Sequence, residues 1–196
     1  MDNNDVQQLI KNVSAESCRA IAKTAETLAG EIAAAAQLVA DAIRSGRKAL
    51  ICGNGGSAAD SQHMAAELVG RFQKERPAWP AIALSTDTSI LTSVGNDYGF
   101  DSVFARQVQA FGAPGDVLIG ISTSGNSPNV LAAFEAAAAR GVACIALTGQ
   151  GGGKLAGLAL HTLAVPATVT ARIQEAHAVI IHLICEIVET SLAQEA

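Results

Sequence analysis

Residues 49–72 of this 196-residue chain read ALICGNGGSAADSQHMAAELVGRF, and this stretch decides the fold. It begins with an apolar run, Ala49–Cys52, passes through the glycine-rich segment Gly53–Ser57 and continues as a helical pattern. This order is typical of parallel α/β proteins, in which the turn after a strand offers backbone N–H groups to a phosphate. His63 and Glu67 are four residues apart, so they share one helix face. The stretch therefore predicts a phosphate-binding turn near a potential base or metal ligand.

Composition limits the classes of protein to which the chain can belong. Its length suits one domain with a continuous core. Hydrophobic residues make up 49% and charged residues 16%, so we expect much of the surface to be covered, by other subunits or by tightly packed helices. The net charge of −5 and the lack of a Lys/Arg cluster disfavour nucleic acid as a partner. A local group of N–H donors can still hold a phosphate in an acidic chain.

Cysteine spacing and hydropathy indicate a cytoplasmic protein with no membrane partner. The four cysteines are widely spaced and form no C-x-x-C pair, which argues against a zinc ribbon and a disulfide framework. The first residues, MDNNDVQQLIKN, do not have the pattern of a signal peptide. The apolar runs are all shorter than the roughly 20 residues that span a membrane.

The rest of the chain predicts helices first and then alternating strands and helices. Residues 1–48 predict two helices that break between Lys23 and Gly30 and serve in oligomerisation, and residues 49–196 predict an α/β unit that forms one structural whole with them. Strands are expected at 49–52, 81–84, 117–121, 142–147 and 160–165. Strands that alternate with helices imply a parallel sheet covered on both faces. Ligands of such sheets bind beyond the carboxyl ends of the strands.

A second polar turn follows the third predicted strand. It reads STSGNSP over residues 122–128, and Pro128 suits the first position of a helix. Together with Ser57, its hydroxyls and N–H groups suit a phosphate monoester held without lysine or arginine. Ser, Asn and Gly are also ordinary turn residues, but two such turns at strand ends favour phosphate. Neither a G-x-G-x-x-G nor a P-loop motif follows a strand, which disfavours dinucleotides and nucleoside triphosphates.

The last predicted helix, about residues 170–192, carries further candidates for chemistry. Gln174 and His182 are about two turns apart on one broad side, and Glu175 and His177 lie between them. Spacing alone does not choose among these four residues. The spacing of His63 and Glu67 suits two metal ligands or a base with its orienting partner, although many exposed pairs share it.

These residues together resemble the SIS (sugar isomerase) domain family, most closely its phosphoheptose isomerase branch. The matching segments are CGNGGSAADSQHMAAELVGRF, PAIALSTDTSILTSVGNDYGF, GDVLIGISTSGNSPNV, ALTGQGGGKLAG and ARIQEAHAVIIH, which run in order over about two-thirds of the chain. The resemblance implies a single SIS domain: a five-stranded parallel sheet flanked by helices (three-layer αβα, flavodoxin-like) with an N-terminal helical pair. It also implies a homotetramer with active sites at subunit interfaces.

The resemblance further implies a reaction and a set of site residues. The reaction is conversion of sedoheptulose 7-phosphate to D-glycero-D-manno-heptose 7-phosphate through an enediol, the first step of ADP- or GDP-heptose synthesis for lipopolysaccharide or related glycans. The implied sugar-phosphate contacts are Asn54, Gly55, Gly56, Asn96, Asp97, Ser122, Thr123, Ser124, Ser127 and Gln174, with Ser57, Glu67 and Arg71 as additions. The implied ligands of one zinc ion per subunit are His63, Glu67, Gln174 and His182.

Two of these residues carry the implied acid–base chemistry. Glu67 is the candidate base for the carbon-bound proton, and His182 is the candidate that moves protons at the oxygens. If Glu67 also binds zinc tightly, its basicity falls, and the sequence leaves open which role dominates. Some relatives carry an aspartate shortly before the RIQ segment, whereas residues 167–172 contain no carboxylate here.

Two other functions compete with an isomerase. A non-catalytic relative with the same tetrameric fold binds the replication initiator DnaA, but it departs from the isomerases at the positions of Glu67 and His182, and this chain has both. A sugar-phosphate sensor domain is the third reading, and such domains usually lie beside a DNA-binding segment, which this sequence does not predict.

Overall fold

The computed structural model describes residues 1–193 and contains one sheet of five parallel strands. The strands are β1 (Ala49–Gly53), β2 (Ala81–Ala83), β3 (Val117–Ser122), β4 (Ala143–Thr148) and β5 (His161–Ala164). Their order is β2-β1-β3-β4-β5. Gly53 pairs with Ile121 and Ser122 with Thr148, so the carboxyl ends of the three central strands lie side by side. The expected five-stranded, flavodoxin-like sheet is confirmed, and it reverses its strand order between β1 and β3.

Within the described residues, six helices cover the two faces of the sheet. They are α1 (Asn3–Arg44), α2 (Gly56–Val69), α3 (Thr88–Tyr98), α4 (Val103–Phe111), α5 (Pro128–Ala139) and α6 (Thr170–Ala193), with short 3₁₀ segments at Phe100–Ser102 and Gly153–Gly157. Alternate strand residues face opposite sides: Ile51 and Ile119 pack against α1, α2 and α6, whereas Leu50 and Leu118 pack against α4 and α5. The result is the predicted three-layer arrangement.

The expected N-terminal helical pair is wrong, because α1 is one continuous helix of 42 residues. The threonines near the expected break continue the helix: Thr24 and Thr27 donate their hydroxyls to carbonyls four residues earlier, each at 2.8 Å. A glycine inside a helix costs about 1 kcal/mol, and a Cβ at Gly30 would meet no atom within 4 Å. Packing offsets this cost, since Ile32, Val39 and other residues of the second half are buried in the core.

Helices α2 and α6 lie next to each other and run in the same direction. Gln174, near the start of α6, contacts Gly56, the first residue of α2. Further along, His182 meets His63, and near the end of α6 Glu189 bonds to the loop that follows α2. This side-by-side packing brings together residues that are more than 100 positions apart in sequence. In the described part of the chain, none of the helices is long and apolar enough to cross a membrane.

Candidate active site

The first glycine-rich turn connects β1 to α2 at the carboxyl edge of the sheet. Gly55 has φ +56°, a left-handed conformation that favours glycine. A Cβ at Gly53 would lie 2.7 Å from the backbone oxygen of Ser57, so the turn closes tightly on itself. Asn54 exchanges two side-chain hydrogen bonds of 2.9 Å with Asn129 at the start of α5. The first turn is therefore fixed to the helix that follows the second turn.

The second turn, residues 122–128, is called the serine turn here, and it gathers three hydroxyls. Ser122 Oγ lies 2.8 Å from Ser127 Oγ and 3.4 Å from Ser124 Oγ. Ser124 Oγ also accepts the backbone N–H of Asn126 at 3.1 Å, which shapes the turn locally. Ser122 is buried, whereas Ser124 is exposed and can meet a ligand. Hydroxyls at the start of a helix can donate to phosphate oxygens.

A third glycine-rich segment, residues 149–153, supports the serine turn from behind. A Cβ added to Gly125, which has φ +63°, would lie 2.1 Å from the backbone oxygen of Gly152. Backbone bonds join the two segments, with Gly149 donating to the Thr123 carbonyl at 2.9 Å and Leu155 donating to the Gly125 carbonyl at 3.0 Å. The glycines are required by this close approach of two backbones. The serine turn is consequently held against residues 149–155 by backbone packing and hydrogen bonds.

Two histidines and a glutamate meet between α2 and α6, and we call His63, Glu67 and His182 the histidine cluster. His63 Nε2 lies 2.8 Å from His182 Nε2, with the rings nearly perpendicular at 73°. His63 Nε2 also lies 3.7 Å from Glu67 Oε1. A bond between two imidazole nitrogens requires one to carry a proton and the other to accept it. The cluster thus combines a proton donor, a proton acceptor and a carboxylate.

The histidine cluster is open to solvent on one side. The side chains of His63 and Glu67 are 45% and 22% exposed, and His182 is exposed as well. Phe72, in the loop after α2, places its ring 5.7 Å from the ring of His182. These side chains are accessible to a substrate.

Other sequence-predicted contacts lie in separate places. Gln174 packs against Gly56 at the first turn, two helical turns before the histidine cluster, and no hydrogen bond joins it to that cluster within residues 1–193. On α3, Asn96 donates to Asp97 at 2.8 Å, and both side chains are exposed. Arg71 is exposed and faces Glu75 at 3.7 Å.

The structure adds Asp60, which the sequence reasoning did not single out. It lies one turn before His63 on α2, and its Oδ2 is buried with no hydrogen-bond partner among residues 1–193. Burial raises the pKa of Asp60, and the nearby His63 partly opposes that shift. The i, i+3 spacing of Asp60 and His63 was the available sequence signal.

The sequence did not predict the roles of three buried polar residues near the site, which are His177, Arg76 and Glu189. His177 Nε2 lies 3.0 Å from the carbonyl of Thr148 at the end of β4, and burial lowers the pKa of His177 to about 4. The residue is fully buried, so it offers no surface to a ligand. Arg76 and Glu189 form a buried ion pair below the histidine cluster. Their partners are mostly backbone groups, which leave no signal in the sequence.

The histidine cluster fits zinc by donor type, because two imidazoles and a carboxylate are common zinc ligands. The two Nε2 atoms lie 2.8 Å apart between the helices. Among residues 1–193, however, no group of three or more His, Cys, Asp or Glu side chains is already arranged around a metal position. The described residues therefore offer suitable donor types without a preformed metal position.

Comparison with known proteins identifies the family to which the chain is similar. Residues 13–149 match the SIS domain family. A phosphoheptose isomerase of Campylobacter jejuni is 57% identical over 169 residues, which cover 86% of this chain and 91% of that protein. The structure of a phosphoheptose isomerase from Neisseria gonorrhoeae superposes with a TM-score of 0.90 at 47% identity, covering 94% and 99% of the two chains. One from Francisella tularensis gives 0.91 at 40% identity, covering 97% and 100%.

Proposed function

We propose a function on one premise, which is that the chain belongs to the SIS domain family and, within it, to the phosphoheptose isomerases. It is an aldose–ketose isomerase that acts on a sugar phosphate. The proposed reaction converts sedoheptulose 7-phosphate to D-glycero-D-manno-heptose 7-phosphate, as the first step of nucleotide-activated heptose synthesis. A cytoplasmic location is part of the same proposal. The observation that carries it is the histidine cluster beside two phosphate-type turns.

In the proposed complex, the serine turn holds the phosphate. Ser124 and Ser127 supply hydroxyl donors, and the first N–H groups of α5 add the positive end of a helix dipole. The first turn, with Asn54, Gly55 and Gly56, would contact the sugar hydroxyls. From Gly56 to His63 the rise along α2 is about 10 Å, so the first turn and the histidine cluster would contact different parts of a seven-carbon sugar.

The histidine cluster would move the protons of the isomerisation. Glu67 would take a proton from C1 of the ketose and return it to C2 of the enediol, which yields the aldose. At the oxygens, His182 would exchange a proton between O2 and O1. When no metal is bound, the hydrogen bond between the Nε2 atoms of His63 and His182 requires one ring to donate a proton and the other to accept it.

Zinc is a further part of the proposal. His63, Glu67 and His182 would hold it, with Gln174 completing the set after rearrangement or from another subunit. When bound, zinc would polarise the carbonyl oxygen of the substrate.

We also propose that the enzyme is a homotetramer with sites at its interfaces. The first half of α1 exposes Val6, Leu9, Ile10 and Val13, an apolar set unusual for a free surface. The outer face of α6 carries an open groove of about 590 Å³ that begins at Leu183, next to His182 in sequence. A second copy that covered these surfaces would also close the histidine cluster from solvent.

The decisive experiment incubates the purified protein with sedoheptulose 7-phosphate and follows the aldose product by NMR. Turnover that chelators abolish and zinc restores would support the whole proposal. Turnover that persists in metal-free protein would refute the catalytic role of zinc and still support the isomerase activity. A well-folded tetramer without turnover would refute the reaction and favour the DnaA-binding alternative, which a binding measurement with DnaA would then test.

A further inference from the structure

A buried ion pair holds the loop that follows α2. The side chains of Arg76 and Glu189 are 4% and 3% exposed, and Arg76 Nε lies 3.1 Å from Glu189 Oε1. Two buried charges are costly unless further hydrogen bonds satisfy their remaining atoms. The surroundings of both residues meet this condition.

The carboxylate of Glu189 binds three consecutive backbone N–H groups. Phe72, Gln73 and Lys74 donate to it at 3.1, 2.8 and 2.9 Å. Burial by itself would raise the pKa of Glu189, but these bonds and that from Arg76 hold the pKa below its usual value. Glu189 is therefore a charged anchor on α6 for the segment that leaves α2.

The guanidinium of Arg76 caps the C-terminal end of α2. It donates to the carbonyls of Glu67 at 2.7 Å and Leu68 at 3.0 Å, and it stacks 3.5 Å from the ring centre of Trp79. The last carbonyls of a helix have no partner within the helix. Arg76 thus fixes the backbone at the residue whose side chain belongs to the histidine cluster.

The ion pair is also connected to His182 on α6. Glu189 follows His182 by seven residues, so both lie on the same face of α6. The loop that Glu189 anchors includes Phe72, whose ring contacts the ring of His182. One buried pair is therefore bonded to both helices that supply the cluster.

We propose that Glu189 and Arg76 are positioning residues, which hold α2 against α6 so that His63, Glu67 and His182 keep their mutual geometry. Neither residue contacts the substrate in this proposal. Its kinetic consequence rests on the proposed isomerase function, whereas its consequence for the two imidazoles does not.

The test compares E189Q with D116N, a matched control. Asp116 is also a buried carboxylate, 1% exposed, that accepts two backbone N–H groups and the Lys48 ammonium at 2.6 Å, but its partners, Lys48 and Ala113, precede β1 and β3 and belong to neither α2 nor α6. We expect E189Q to lower kcat on sedoheptulose 7-phosphate about 10- to 100-fold and to change KM less than about threefold. D116N should leave both constants unchanged.

A second readout follows the imidazoles directly. In ¹⁵N NMR spectra of the metal-free protein, E189Q should shift the Nε2 resonances of His63 and His182, because the glutamine NH₂ cannot accept backbone N–H groups. D116N should not shift them. If wild-type protein shows no turnover, the proposed function fails and these resonances alone decide the positioning role.

R76K is the second variant, for the case in which E189Q does not fold. R76K keeps a cation beside Glu189 but loses guanidinium hydrogen bonds to the last carbonyls of α2. We therefore expect kcat and both resonances to change in the same direction as in E189Q, but by less. A folded E189Q or R76K protein with wild-type kcat and unshifted resonances would overturn the proposal. Equal kinetic losses in D116N would do the same, since they would show a general effect of destabilisation.

Discussion

The serine turn and the histidine cluster are built in opposite ways. The serine turn consists of seven consecutive residues, and its hydroxyls contact one another within the same short segment. In the histidine cluster, His63 and His182 are 119 positions apart and meet only because α2 and α6 pack side by side. The turn thus depends on local backbone geometry, whereas the cluster depends on tertiary packing.

We expect this structural difference to separate substrate binding, which depends on the serine turn, from turnover, which depends on the histidine cluster. If the turn holds the phosphate in both ground state and transition state, its loss should mainly raise KM. If the cluster acts on protons that move only during the reaction, its loss should mainly lower kcat. The following substitutions test this division, in order of the expected effect.

Glu67→Gln should have the largest effect, lowering kcat about 10²- to 10⁴-fold with little change in KM. The amide cannot take the carbon-bound proton, while the phosphate contacts stay intact. NMR detection of the aldose product measures the loss. Glu75→Gln is the control, because the Glu75 side chain is 92% exposed and lies outside the cluster. Full activity of Glu67→Gln would exclude Glu67 as the base.

Gly125→Ala should raise KM up to about 100-fold, because small displacements of binding groups have effects of this size. The new Cβ would overlap the backbone oxygen of Gly152 at a φ of +63°, so the serine turn must shift. Steady-state kinetics measure KM, and urea denaturation should show a loss of about 1–3 kcal/mol in the free energy of unfolding. Gly157→Ala, where a Cβ meets nothing within 4 Å, should leave KM unchanged. An unchanged KM in Gly125→Ala would refute the role of this turn.

Ser127→Ala should raise KM at least about tenfold and leave kcat nearly unchanged, because one hydrogen bond to a charged group contributes about 1.5–3 kcal/mol. The substitution removes one hydroxyl and its 2.8 Å contact with Ser122, and the backbone of the turn is retained. Inhibition by inorganic phosphate should weaken in parallel. A loss confined to kcat would show that binding and turnover are not separated as proposed.

His177 lies between the two halves of the site and should affect stability at acid pH, with little effect on turnover at pH 7. It bonds to β4 at Thr148, next to the glycines behind the serine turn. Its pKa is about 4 when folded and about 6.5 when unfolded, so the unfolded chain binds more protons between these values. The resulting stabilisation is complete above pH 6.5 and falls by about 3 kcal/mol as the pH drops to 4.

The measurement is urea denaturation of wild type and His177→Gln at pH 7, 6, 5 and 4. The glutamine can still donate to the Thr148 carbonyl but does not titrate. We expect the wild-type free energy of unfolding to fall more steeply with decreasing pH than that of the variant. Parallel curves would show that His177 does not titrate as its burial implies.

The sequence was sufficient for those parts of the molecule that are local. The strand pattern gave a five-stranded parallel sheet, and STSGNSP at 122–128 gave the second turn at its carboxyl edge. The expected break between Lys23 and Gly30 was wrong, because the cost of one glycine is smaller than the gain from packing α1 against α6.

Contacts between distant segments could not be predicted in the same way. Helical spacing left Gln174, His177 and His182 equivalent, and only the packing of α6 buries His177 while exposing His182. The roles of Arg76 and Glu189 were invisible because most of their partners are backbone N–H and carbonyl groups, which every sequence contains. Once the structure gives the relative position of α2 and α6, the spacing of residues within each helix shows which side chains meet.

The parallel packing of α2 and α6 also limits how this chain can change in length. Residues 174, 182 and 189 of α6 each contact a different level of α2 or its following loop. Inserting one residue between any two of them would rotate everything beyond it by about 100° and advance it by about 1.5 Å. Insertions or deletions inside 174–189 would therefore separate contacts that single substitutions leave in place, so homologous enzymes that share this site should vary in length before or after this segment and keep it free of gaps.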